Sequence, residues 1–163
     1  MIQKQKITSY PSGNKKTETY RDGDTSVTKH FYNAKDAYVK EFISLKDGIT
    51  EIKHYTEKGV LSKLDHFMNE KRHGEEIKYL VSKANRSIKS SKIYADGKLH
   101  GQSITYNQTG DIIKHEVFAL GKLVLKYLRE DSENSDITSV TIINKESVEK
   151  LPKIEYDRLQ NHI

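Results

Sequence analysis

The sequence predicts an all-β protein: an elongated, single-layer antiparallel meander of β-hairpin repeats, finished by a short C-terminal strand-helix cap. Three observations predict it. Aromatic residues recur about every 23 positions, glycines fall at turn positions in the same frame, and the apolar content covers one face of a sheet but is thin for two packed layers.

The period is read from the aromatics. Tyr10, Tyr32, Tyr55, Tyr79, Tyr106 and Tyr127 are separated by 22, 23, 24, 27 and 21 residues. A second series, Tyr20, Phe42, Phe67, Tyr94 and Phe118, falls between them. The two series take up 11 of the 14 aromatics and leave out Phe31, Tyr38 and Tyr156, so the spacing belongs to a repeating unit rather than to a globular core. Gly13, Gly59 and Gly110 follow the first series by three or four residues, and Gly23, Gly48, Gly74, Gly101 and Gly121 follow the second by three to seven. Each unit therefore reads as strand, turn, strand, turn, with about five units over residues 1–128.

Between the turns, strand formers alternate. Gln102, Ile104 and Tyr106 share one face of their segment, as do Ile77 and Tyr79 of theirs. Leu61 and Phe67, Ile88 and Tyr94, and Ile112 and Phe118 are each six apart, an even number that an unbroken pleat places on one face. Parity fails for Ile52 and Tyr55, and the residues six before Tyr20 and Phe42, Asn14 and Asp36, are polar. The first two units are degenerate, a bulge or a loosened register is expected there, and the segment Asn33 to Lys40 fits the pattern least well.

The aromatic ladder is first a structural device, because cross-strand ring pairs fix register in a sheet with little other core. Its functional reading is a surface that grips a partner, with Tyr32, Tyr55, Tyr79, Tyr94 and Tyr106 as the binding residues. Chemistry is not expected. The chain has no cysteine, His73 and His100 stand at equivalent points of successive units with no carboxylate recurring beside them, and there is no nucleophile elbow, phosphate loop, dinucleotide fingerprint or zinc motif. No catalytic residue, metal or cofactor is assigned.

Only 34% of residues are apolar and 31% are charged, with 28 basic residues interspersed among 23 acidic ones for a net +5. That mixture suits a solvated sheet surface whose charges discourage edge-to-edge aggregation. Met1 to Lys6 is charged and lacks the apolar stretch of a signal peptide, no run of about 18 apolar residues occurs, and cysteine is absent, so a cytoplasmic location is expected.

The segments Gly97-Lys98-Leu99-His100-Gly101-Gln102-Ser103-Ile104-Thr105-Tyr106 and Lys71-Arg72-His73-Gly74-Glu75-Glu76-Ile77-Lys78-Tyr79 resemble the G-K-x-x-G-x-x-x-x-Y core of the MORN repeat family. Tyr55 to Gly59 and Tyr106 to Gly110 look like its other half, an aromatic leading into a glycine turn. The likeness covers residues 7 to 128, is strongest from Tyr55 to Tyr127, and is nearest to the bacterial YwqK-type, antitoxin-like variant. Tryptophan is missing, and the regions of Asp36 and Asn85 lack the turn glycine. The resemblance implies a row of hairpins that serves as a binding scaffold, with no active site.

After Tyr127 the pattern stops, and residues 129–163 read as a separate loop, strand and helix cap. Arg129 to Asp136 is polar, Ile137 to Ile143 is a strand, and Ser147 to Gln160 is expected to be helical, with Pro152 either starting the main helix or dividing it. This unit either covers the last sheet edge or carries partner specificity.

Three functions compete. The first is a non-catalytic protein-binding module, with an antitoxin or immunity protein that neutralises a toxin or effector as its sharpest form. The second is a nucleic-acid or anionic membrane-surface binder using aromatic and basic side chains on one sheet face. The third is an assembly scaffold whose edges pair with another copy.

Overall fold

In the computed structural model the described backbone comprises residues 2–81, 86–128, 140–144 and 147–151. These residues form strands β1 (Ile2–Ser9), β2 (Lys15–Asp22), β3 (Thr25–Phe31), β4 (Val39–Lys46), β5 (Ile49–Tyr55), β6 (Leu61–Met68), β7 (Lys71–Arg72), β8 (Gly74–Val81), β9 (Arg86–Ala95), β10 (Lys98–Tyr106), β11 (Ile112–Ala119), β12 (Lys122–Leu128), β13 (Val140–Asn144) and β14 (Ser147–Leu151). All join one open antiparallel sheet in chain order, with β7 paired to β6 just ahead of β8. No helix occurs among the described residues. The expected all-β hairpin meander is therefore the observed one.

The two ends of the sheet use different turns. At one end sit two-residue turns, Asp47-Gly48, Asn69-Glu70, Asp96-Gly97 and Leu120-Gly121, in which both residues have positive φ between 48° and 87°. This is the mirror-image turn whose twist matches that of the strands. At the other end the chain needs five residues, 10–14, 56–60 and 107–111, each closed by a backbone hydrogen bond from the first N–H to the last carbonyl at 2.8 to 2.9 Å. Leu120 is the misfit, a branched and exposed side chain held at φ 48°. Leu120→Asn is expected to stabilise the protein by about 1 kcal/mol in urea unfolding, because asparagine tolerates this backbone region and little burial is lost.

Each long turn is followed by a β-bulge, and the bulges keep the period. The register steps over Lys16, Lys40, Ser62, Lys89 and Ile113, one in each of β2, β4, β6, β9 and β11. This corrects the parity expectation. Leu61 pairs with Tyr55 while Phe67 pairs with Thr50, and because Tyr55 and Thr50 are five residues apart they lie on opposite faces. The same holds for Ile88 against Tyr94 and for Ile112 against Phe118. An extra residue near the start of each of these strands inverts the face of the residue before it.

The register also corrects the frame of the first two units. Phe31 pairs with Val39 as Tyr55 pairs with Leu61, so Phe31, not Tyr32, is the counterpart of Tyr55, and Ser9 fills that place in the first unit. Tyr10 and Tyr32 stand one residue further on and tie adjacent units together. The Tyr10 hydroxyl donates to the Phe31 carbonyl at 2.9 Å and the Tyr32 hydroxyl to the Tyr55 carbonyl at 2.7 Å.

A second irregularity explains the recurring G-K-x-x-G segment. Gly74 and Gly101, at φ 89° and 86°, sit where the register gains two residues on the later strand. The widening frees the carbonyls of Arg72 and Leu99 to accept the N–H groups of Gly97 and Gly121, the next turns along, at 2.8 and 2.7 Å. Glycine is needed because other side chains resist this φ.

Among the described residues there is no sandwich core. Of the six described residues that are buried, only Val27 is apolar; the others are Asp65, Glu76, Ser90, Ser103 and His115. Among the described residues each face is covered by its own side chains alone, as a single layer requires. At the C-terminal end, Ser147–Leu151 is strand β14, paired antiparallel with β13, rather than the opening of a helix. Five residues are too few to hold a helix on their own, and pairing along the whole length of β13 competes well with one. The loop expected at 129–136 and the remainder of the expected helix lie outside the described residues.

Candidate interaction surface

Direct cross-strand partners share a face, so the register defines two. One face carries the succession Phe42, Lys53, Leu64, Ile77, Ser91, Ile104 and His115. By strand alternation Tyr55, Tyr79 and Tyr106 belong to this aromatic face, at matching strand ends opposite Leu61, Ile88 and Ile112. Tyr94 is on the other face, beneath the Arg72 guanidinium at 5.3 Å from its ring centroid, and Tyr32 lies in a turn. The expected ladder of five is thus three rings on one face, one on the other and one linking units. All five are half-buried, which suits the register role.

Among the described residues, the most open ring is one the period left out. Tyr38 is 60% exposed and stands at the end of the 32–38 turn. It leans over Gly59 of the neighbouring unit, so close that a Cβ there would lie 2.6 Å from its Cδ1. With Val39, Phe42, Tyr55 and Gly59 it lines an open apolar cleft of about 280 Å³. The ammonium groups of Lys29 and Lys53 each lie 5.8 Å from the Phe42 ring centroid, within cation–π range. Lys29 also lies 5.1 Å from that of Tyr20, and Lys15 lies 5.0 Å from that of Phe31.

The opposite face holds a charge network. Asp65 and Glu76, nearly fully buried, are neighbours across β6 and β8 because the adjacent Leu64 and Ile77 pair. Their repulsion is relieved by cations between them. Lys63 Nζ lies 2.7 Å from Asp65 Oδ2 and 3.3 Å from Glu76 Oε2, and Arg72 bonds Glu76 and comes within 3.8 Å of Asp65. His54 joins Asp65 at 2.9 Å to Glu41 at 3.4 Å. Burial pushes the Asp65 carboxyl up, but Lys63, His54 and Arg72 outweigh it and hold it below its ordinary range. Burial likewise pulls Arg72 down, and Glu76, Tyr94 and Asp65 reverse that. The arrangement is self-neutralising and reads as architecture. Sequence reasoning missed it because its members come from separate hairpins.

His115 is fully buried on the aromatic face opposite Ile104, and burial lowers its pKa from the ordinary 6.5. The unfolded chain then takes up a proton near pH 6.5 that the folded chain resists, so this residue's contribution is complete above that pH and is lost as pH falls through it. Thermal unfolding is expected to fall more steeply between pH 7 and pH 5 in the wild type than in His115→Phe; equal slopes would contradict this.

No group of three or more His, Asp or Glu side chains that could hold a metal ion is assembled among the described residues. His100 Nδ1 accepts from the Leu120 N–H at 3.3 Å, and His73 faces Asp96 at 3.8 Å, both beside the two-residue turns. No described helix is long and apolar enough to cross a membrane. Set against known proteins, the chain matches no family and no curated sequence.

Proposed function

We propose that the chain is a protein-binding module without chemistry of its own, built on repeats of the MORN kind, which holds or neutralises a partner by covering its surface, as an antitoxin or immunity protein does. The observation that carries this reading is the aromatic face. Ile49, Val81, Ile88 and Ile93 are exposed on it beside the tyrosine ladder, and no second layer packs over them among the described residues. Apolar surface left open in this way is characteristic of a face that another protein covers.

The test is a pull-down of the tagged protein from its own host, with nuclease treatment and a salt series. A single stoichiometric protein should survive both and be lost with Ile49→Asp or Ile93→Asp, while Lys92→Glu on the other face leaves it bound. Retention of no protein would defeat the reading.

A nucleic-acid reading is favoured by a different feature. Lys46, Lys71, Lys98 and Lys122 stand exposed beside the two-residue turns, opposite Ile49, Met68, Ala95 and Ala119 on the aromatic face. None has an ion-pair partner among the described residues. Where they recur on alternate strands their spacing is roughly 10 Å. In the same experiment this reading expects salt-labile, nuclease-sensitive material instead.

A further inference from the structure

The turn between β3 and β4 departs from the repeat. The other described long turns have five residues, whereas this one, 32–38, has seven, with Asp36 at φ 53°. The added length carries Tyr38 across to Gly59 and creates the cleft over Phe42 and Tyr55. A repeat array has no need of this cleft, and departures of this kind mark functional positions.

We propose that the cleft receives an aromatic side chain presented by an acidic segment of the partner protein; the assignment rests on the protein-binding reading above. Size is the first argument. At about 280 Å³ and open to solvent, the cleft falls just below the range of roughly 300–1,000 Å³ found for small-molecule pockets, and suits one anchoring ring.

Preorganisation is the second. The Tyr32 hydroxyl holds the Tyr55 carbonyl, and Gly59 seats the Tyr38 ring, so the walls are in place before anything binds.

Charge is the third. In the two turns and within three residues of either, Lys29, Lys35, Lys40, Lys53, Lys58 and Lys63 outnumber Asp36, Glu41 and Glu57 by six to three. Glu51 is engaged with Lys53 at 2.7 Å, while Lys29 and Lys40 form no ion pair among the described residues. An anchor flanked by carboxylates meets this rim favourably, and one flanked by lysines does not.

The probes are capped tripeptides, Asp-Phe-Asp, Asp-Ala-Asp and Lys-Phe-Lys, titrated into the full chain and followed by amide shifts in NMR. Asp-Phe-Asp should shift Val39, Tyr55 and Gly59 and bind about tenfold more tightly than the other two. Tyr38→Ala should weaken it by about tenfold with an unchanged unfolding midpoint, Gly59→Ala should weaken it as well by displacing the ring but lower the midpoint, since Gly59 sits at φ 74°, and Tyr38→Phe should retain it. Lys29→Glu tests the charge argument without replacing a lining residue and should weaken Asp-Phe-Asp selectively. Shifts that are absent or scattered at millimolar peptide, equal binding of Lys-Phe-Lys, or binding indifferent to Tyr38→Ala would overturn the assignment. If the peptides fail while the host partner is still held by the aromatic face, the cleft assignment falls and the protein-binding reading stands.

Discussion

Lys63→Ala is expected to destabilise the protein by about 3 kcal/mol, toward the lower end of the range for breaking a buried ion pair because the lysine keeps some contact with water. The loss follows from what remains. Asp65 and Glu76 stay buried side by side, with Arg72 left to serve both, aided by His54 at Asp65 and by Lys78, 3.8 Å away, at Glu76. Adding Asp65→Asn should recover much of the loss, since it removes the charge that lost its partner, whereas Asp65→Asn alone should destabilise. Urea unfolding of the four proteins in this cycle measures the coupling, and strictly additive losses would show that the network is not one unit.

Tyr79→Ala is expected to cost about 2 kcal/mol, below the full cost of deleting a buried ring because this one is half-buried. Its pairing position opposite Ile88 is where the bulge of β9 sets the register, so the ring both packs and specifies alignment. Tyr79→Phe should cost much less. The contrast with Tyr38→Ala separates scaffold from surface, since the exposed Tyr38 should contribute to binding and little to stability. Equal stability losses at the two positions would contradict that division.

The repeat, the hairpin meander and the single layer were legible in the sequence because period and turn chemistry are local properties. Faces were not. A parity count assumes an unbroken pleat, and here a bulge in each unit turns Leu61, Ile88 and Ile112 away from the faces of their apparent partners. The same blindness placed Tyr32 in the ladder and left out Phe31, because a one-residue offset in sequence is invisible until pairing decides which residue ends the strand. The clearest signal was read as noise. The region from Asn33 to Lys40 fits the period least well, and it is the region that builds the cleft. Its lining residue Gly59 comes from a different unit, so only the register could bring Tyr38 and Gly59 together.

The central structural claim, an open single-layer sheet with one aromatic face uncovered by any other described residue, can be tested in solution by small-angle X-ray scattering of the isolated chain. Thirteen strands in succession at about 4.8 Å spacing extend roughly 58 Å, which gives a radius of gyration of about 19 Å. A compact fold of the same length has about 15 Å. A value near 19 Å from a monomer supports the account, and a value near 15 Å would mean that the sheet folds back or is covered by the rest of the chain, leaving no free face to bind a partner.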